Sequence, residues 1–425
     1  MAHIGVFCPP IPGHLNPMMT LGRALHRHGH RITVFQIPEM RTRIEAEQLE
    51  FRPLGEVEGA GEIARAVSEI GRRSGLSALR LTLDYGRRLA ALICRHGPEA
   101  VRSAGVDLLL VDDNEPAGGS VAQHLGLPYI NLGLIPLHRE PAVPPPFVPW
   151  SYGGNQLSRA RNQLAYRIFD RLVAGINGVL NEYRAQWKLP LIRYPEDTLS
   201  PFAQLSQLVE ELDYPRTVKP DYLHYLGALF DANRPSAPFP FEKLQNRPLI
   251  YASFGTLQNG RVEPFRAVAE ACAQIDAQTV LSAGSSAHQL TNLPGSPIVV
   301  SYAPQLALLA RASLCITHGG VNTVMESLRF AVPMIAVPIT NDQPAVAARV
   351  RWTGAGEMAP LPQLLKGGLK PVLAKVWNTP SYREAAGRLQ AAVLSAGGVE
   401  RGVAIVQQVL RTGKPVQALA KEVTA

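Results

Sequence analysis

The stretch 302-YAPQLALLARASLCITHGGVNTVMESLRFAVPMIAVPITNDQ-343 carries more polar chemistry at fixed spacing than any other part of this chain. It opens on an aromatic, Tyr302, with Ala303, Pro304 and Gln305 behind it. An apolar helical run leads to the short strand Leu314-Cys315-Ile316 and then to Thr317-His318-Gly319-Gly320. The next helix holds Asn322, Thr323 and Glu326, and a second apolar strand leads to Asp342-Gln343. Gly319-Gly320 alone would suit a plain strand–turn–helix. The full set fits a nucleoside-diphosphate site better. Glycines after a buried strand let a ligand approach the backbone, and the helix that begins there presents unpaired N–H groups to phosphate. His318, Asn322 and Thr323 add side-chain donors, and Glu326, one turn on, is placed to accept from the two hydroxyls of a ribose. A deoxyribose would leave that carboxylate short of a donor, which favours a ribonucleotide.

Working outward, apolar strands and helical patterns alternate along the whole chain. His3 to Cys8 reads as a strand, Pro9 to Asn16 as a Pro/Gly loop, Pro17 to His28 as a helix closed by Gly29, and Arg31 to Gln36 as a second strand. Such a βαβ start predicts a parallel sheet with ligands beyond the strand C-termini. Gly13 and His14 lie at such a position. His14 reads either as a solvated loop histidine or as a general base, since its ordinary pKa sits near working pH. A partner comes later, where Asp107 to Val111 forms a strand ending in Asp112 and Asp113. In one parallel sheet both strands end on the same edge, so Asp112 can orient His14 as the third group of a triad does. Alternatively, either aspartate caps the helix before Pro116.

The 425 residues predict two domains. A hydrophobic content of 46% suits sizeable cores. The four cysteines, Cys8, Cys94, Cys272 and Cys315, show no disulfide or metal spacing and suit a reducing cytosol. The opening residues have no basic leader, and prolines break their apolar run, so a signal peptide is not expected. No run approaches the roughly 20 apolar residues of a membrane span. The net charge of +8 is concentrated in Arg65, Arg72, Arg73, Arg80, Arg87, Arg88, Arg95 and Arg102, spaced about a heptad apart. This stripe reads as a solvated helix face or as a patch resting on anionic lipid. The expected location is therefore cytoplasmic, or peripheral to the inner face of the membrane. No nucleic-acid-binding module accompanies the charge. Segment 141–152, PAVPPPFVPWSY, is a stiff loop whose Phe147 and Trp150 either line an apolar cleft or serve a surface connection. The Pro-, Asn- and Ser-rich stretch 230–248 has a linker's composition.

The motif at 302–343 resembles the donor-binding signature of inverting, nucleotide-sugar-dependent glycosyltransferases, a family spanning plant secondary-product, macrolide and carotenoid glucosyltransferases. Three further stretches look like bacterial zeaxanthin glucosyltransferases: Asp112 to Gly118, Leu137 to Pro141, and Ser200 to Leu205 continued by Glu211 to Arg216. The loop Pro9 to Pro17 looks more like the wider family. The resemblance implies the α/β GT-B architecture, two Rossmann-like domains facing each other across a cleft. An acceptor-binding domain would span 1–232, a nucleotide-sugar domain 247–408, and a helix over 409–425 would return to the first domain. It implies catalysis by His14 and Asp112, with UDP-glucose bound through Gly255, Thr256, Tyr302, Ala303, Gln305, His318, Gly320, Asn322, Thr323, Glu326, Asp342 and Gln343. Tyr302 would stack on the base, and the Asp342-Gln343 pair would read the sugar hydroxyls, the glutamine favouring glucose. Gly13, Phe147 and Trp150 would meet a small lipophilic acceptor: a carotenoid such as zeaxanthin, or alternatively a phenolic, flavonoid or macrolide. No cofactor or metal is implied, and no Asp-X-Asp pair is present to bridge one.

Overall fold

The computed structural model describes residues 1–55, 60–70, 75–230, 237–255 and 260–418. The first half alternates strands and helices: β1 (His3–Phe7), α1 (Pro12–Arg27), β2 (Arg31–Gln36), α2 (Arg41–Glu45), β3 (Glu50–Pro53), α3 (Ala60–Ile70), α4 (Gly75–Ala104), β4 (Leu108–Asp112), α5 (Pro116–Leu125), β5 (Tyr129–Gly133), α6 (Gln156–Gln186), β6 (Gln204–Ser206) and β7 (Leu223–Tyr225). The second half continues with β8 (Leu249–Ser253), α7 (Glu263–Cys272), β9 (Gln278–Ser282), β10 (Ile298–Val300), α8 (Gln305–Leu309), β11 (Ala312–Thr317), α9 (Val321–Arg329), β12 (Met334–Ala336), α10 (Gln343–Trp352) and β13 (Gly356–Met358). Helices α11 (Leu361–Leu365), α12 (Leu369–Asn378), α13 (Ser381–Ser395) and α14 (Gly398–Thr412) close the chain.

Two wholly parallel sheets result, in the orders β3-β2-β1-β4-β5-β6-β7 and β10-β9-β8-β11-β12-β13. Their central strands are buried along their length, as a sheet covered on both faces requires. Each order reverses once, between β1 and β4 in the first sheet and between β8 and β11 in the second. Registers there are Phe7 opposite Val111 and Ser253 opposite Thr317. Loops leaving neighbouring strands at such a reversal diverge to opposite faces and open a crevice. Both crevices fall where the sequence places its candidate residues.

Several local expectations change. Helix α1 begins at Pro12, not Pro17, because Ile11 is extended and Pro12 suits the first helical position. His14 therefore sits in a helical first turn and Pro17 lies inside the helix. A proline there leaves the carbonyl of Gly13, four residues back, without its helical donor. The Asn322 Nδ2 on α9 donates to that oxygen at 3.1 Å, joining the two halves. The arginine-rich region is two helices, α3 and α4, rather than one stripe, and Arg72 and Arg73 lie outside the described residues. Glu115, not Asp112 or Asp113, occupies the N-cap of α5. The helix expected over 409–425 ends at Thr412, as α14 spans Gly398–Thr412; the chain after it returns to the first half through Val416 N–H to the Phe202 carbonyl, 2.9 Å, and 419–425 lie outside the described residues.

The stretch 381–412 is long and apolar enough to cross a membrane by length and composition. It instead folds as two helices broken at Gly397 and Gly398, whose φ values of 88° and 47° suit glycine. Val403, Val406 and Val409 of α14 then pack with Leu15, Met18 and Leu25 of α1 in the core of the first sheet.

A buried ionic cluster also spans the halves. Asp213, in the connection between β6 and β7, accepts from Arg349 of α10 (Nε at 2.9 Å, Nη2 at 2.8 Å), from Arg216 Nε at 2.7 Å and from the Tyr225 hydroxyl at 2.8 Å. Burial pushes the Asp213 carboxyl up, but the Arg349 and Arg216 guanidiniums hold it well below the usual carboxylate range. Arg349 also lies over the Tyr214 ring, 4.3 Å from its centre.

Candidate active site

At the first crevice, the β1 and β4 ends bring His14 and Asp112 together. His14 Nδ1 and Asp112 Oδ2 are 2.9 Å apart, and the other carboxylate oxygen accepts from Asn114 N–H at 2.8 Å. The carboxylate is thus held from both sides. With Nδ1–H donating to Asp112, the Nε2 lone pair of the neutral ring is free to take a proton. Burial lowers the His14 pKa, but Asp112, by charge and hydrogen bond, and Asp342 and Asp113 outweigh it and raise the group above 6.5. Asp113 and Glu115 are pushed well up, first by burial and then by the Asp112 charge. Of these three carboxyls, Asp112 is the one in contact with His14. Among the described residues, Asp113 Oδ1 has no hydrogen-bond partner.

The second crevice is built differently. His318 follows β11 and lies between two glycines: a Cβ on Gly255 or on Gly320 would come within 2.6 Å of its ring. Gly255 also has φ 74°, so glycine is required there twice over. Burial lowers the His318 pKa to about 4, against a hydrogen bond to the Ser253 backbone that raises it. This imidazole is neutral at pH 7.

Gln305 bridges the rest of the motif. It accepts from the Tyr251 hydroxyl at 3.0 Å and donates to Glu326 and, at 3.4 Å, to Thr323. Glu326 and Thr323 are buried, whereas Tyr302 is 63% exposed, its ring free to receive a flat partner. Ala303 packs at the edge of the second half's core.

Buried Gln343 accepts through Oε1 from the Ile339 and Thr340 N–H groups, at 2.9 and 3.0 Å. Its carbonyl oxygen therefore holds the turn before α10, leaving the amide NH2 as the end available to a sugar. Asp342 occupies the N-cap position of the same helix; burial raises its pKa, the nearby His14 partly offsets that, and Asp342 in turn helps to raise His14. The structure thus gathers His14, Asp112 and Asp342 at one place, with Gly13 tied to Asn322 beside them. Thr256 lies outside the described residues.

Phe147 and Trp150 are partly taken up by α6. Phe147 stacks on Phe169 with ring centres 4.7 Å apart, and the Arg161 guanidinium lies 4.5 Å from the Trp150 ring centre. Tyr152, the third aromatic of the segment, meets Tyr214 at 5.9 Å and Trp352 at 5.6 Å. Segment 141–152 is therefore clasped to α6 on one side and to the last turn of α10 on the other. Sequence reasoning missed Asp213 and Arg349, 136 residues apart, which no local pattern links.

Two parallel α/β sheets with reversals at facing crevices, a histidine–carboxylate pair on one and a glycine-walled diphosphate motif on the other, define a GT-B glycosyltransferase. A calicheamicin glycosyltransferase shares the fold, with a TM-score of 0.75 at 21% identity over 98% of this chain and 100% of its own. The chain belongs to the UDP-glucoronosyl and UDP-glucosyl transferase family, whose pattern matches residues 157–394. It is similar to zeaxanthin glucosyltransferases from Pantoea ananas, 33% identical over 98% of each chain, and from Pseudescherichia vulneris, 33% identical over 98% of this chain and 100% of the other.

Proposed function

We propose that the protein transfers glucose from UDP-glucose to a hydroxyl of a lipophilic acceptor, a carotenoid such as zeaxanthin, with inversion at the anomeric carbon. The observation that carries the chemistry is the 2.9 Å contact between His14 and Asp112 at a strand-order reversal. His14 Nε2 takes the proton from the acceptor hydroxyl. That oxygen attacks the anomeric carbon, and the bond to the diphosphate breaks with its electron pair leaving on UDP. Asp112 stabilises the imidazolium that forms. The second half holds the donor. Tyr302 stacks on uracil, which contributes about 1–3 kcal/mol in comparable stacks. Glu326 binds the ribose, and His318 and the start of α9 face the diphosphate. The Asp342 carboxylate and the Gln343 amide bind the sugar.

Similarity to the two zeaxanthin glucosyltransferases supports the carotenoid acceptor, and the aromatic segment 141–152 suits an apolar one. The test supplies UDP-glucose with carotenoid diols, flavonoids and macrolides in parallel and reads products by mass. Conversion of zeaxanthin to its glucosides is expected. No turnover of zeaxanthin beside efficient turnover of phenols would replace the carotenoid by a phenolic acceptor.

A further inference from the structure

Helix α6 is 31 residues long, and its inner side packs on α4 and α5 and holds segment 141–152. Asn162 Nδ2 donates to the Pro141 carbonyl at 2.9 Å, and Phe169 stacks on Phe147. Its outer side is unlike an ordinary solvated face. Leu157, Leu164, Ile168 and Leu172 are 83, 58, 48 and 37% exposed. Their spacings of seven, four and four residues put them on one stripe along the helix. Arg167 and Arg171 flank it. Both are exposed, and neither has a carboxylate within ion-pair distance among the described residues. Across 156–178 no exposed residue of α6 is acidic; Asp170 is partly buried and bound to Arg139 at 3.0 Å.

The arginines of α4, which the sequence offered as the lipid-facing stripe, are differently placed. Arg88 is held by Asp84 at 2.8 Å and by Glu62, Arg87 by Asp84 at 3.2 Å, and Arg102 by Glu99 at 3.2 Å. Charges already matched by neighbouring carboxylates have little left for an anionic surface. Arg80 of α4 is exposed without such a pair among the described residues, beside the single exposed Leu79, whereas α6 sets two unpaired arginines along a four-residue apolar stripe.

We infer that the outer face of α6 docks on an anionic phospholipid bilayer, the leucine–isoleucine stripe entering the headgroup boundary while Arg167 and Arg171 meet lipid phosphates. A basic amphipathic helix lies in a membrane interface in this way, its apolar side buried and its cations at the headgroups. Docking by α6 brings segment 141–152, packed against the same helix, to within one helix diameter of the lipid, about 10–12 Å. The inference is independent of which acceptor is used, because lipid binding is read without turnover.

The test is flotation of the full chain with vesicles of phosphatidylcholine alone and with vesicles that also contain phosphatidylglycerol. Binding to the anionic vesicles that weakens with salt is expected. Arg167→Gln with Arg171→Gln should lower the partition coefficient roughly 25-fold, about fivefold for each cation removed. Leu164→Ser with Ile168→Ser should lower it at least as far. All four positions are exposed, so the melting temperature and UDP affinity should stay as in the parent. No binding to anionic vesicles, or equal binding by parent and both double variants, overturns the inference. So does a parent dimer in solution that the Leu164→Ser, Ile168→Ser variant converts to monomer, since the face would then belong to a second copy.

Discussion

Each crevice has one histidine at its centre, and the two are prepared in opposite ways. His14 stands beside a carboxylate held from both sides, with Asp342 and Asp113 near, and its pKa is raised despite burial. His318 stands between Gly255 and Gly320 with a backbone carbonyl for a partner, and burial takes it to about 4. The same side chain, set after β1 in one sheet and after β11 in the other, is thus poised to accept a proton at one reversal and stands as a neutral wall at the other. What decides the difference is whether a charge or a carbonyl lies within reach.

Replacing His14 by Ala is the most severe way to break the contrast. Transfer should fall by about 10²–10⁴-fold, the usual contribution of a positioned base. UDP affinity by calorimetry should stay at the parent value, and undiminished transfer would remove His14 from the mechanism. Asp112→Asn tests the cause rather than the group. With the neighbouring charge gone, burial dominates and the His14 pKa falls. The rate should drop by less than in His14→Ala, and the acid limb of the pH–rate profile, expected above 6.5 in the parent, should move to lower pH. An unmoved limb would mean that another group titrates.

Stability against pH should reveal the two histidines with opposite signs. His14, raised in the native state, contributes stability that is present below 6.5 and lost as pH rises through its native pKa. His318, lowered to about 4, contributes stability that is present above 6.5 and lost as pH falls from there toward 4. His318→Gln should therefore flatten the loss of stability between pH 6.5 and 4 by up to about 3 kcal/mol, measured by urea unfolding at a series of pH values. The smallest effect belongs to the glycine wall. Gly255→Ala forces a side chain to positive φ and into the His318 ring, costing about 1–3 kcal/mol of stability and weakening UDP binding. A variant as stable as the parent would show that the ring moves aside freely.

Much of this was readable from residue order. Alternating apolar strands and helices require parallel sheets, and a strand's end is marked by its last apolar residue, so Asp112 and His318 could be placed at sheet edges before any coordinates. Asp112 could be paired with His14 because a parallel sheet sends both strand ends to the same side. What failed was local or long-range. Pro17 suggested a helix start, but a proline within a helix is tolerated once Asn322, far away in sequence, takes the carbonyl it leaves free. The arginine repeat was visible, but not the carboxylates that would occupy it. The stripe of α6 was hidden for a different reason. Leucines at helical spacing read as core until the fold shows which side faces inward.

The contact between Asp213 and Arg349 sets a limit on inheritance. Enzymes built from an acceptor half and a donor half invite recombination, one relative's first half joined to another's second at the connecting segment. Any junction between 230 and 249 separates this aspartate from its arginine. A second half without an arginine at the position of Arg349 leaves a buried carboxylate short of one of its two cations, a loss of about 3–5 kcal/mol when a buried pair is broken. The pair therefore acts as a compatibility mark between halves. A hybrid that carries both residues passes it, and one that carries a single residue begins with much of its folding free energy already gone.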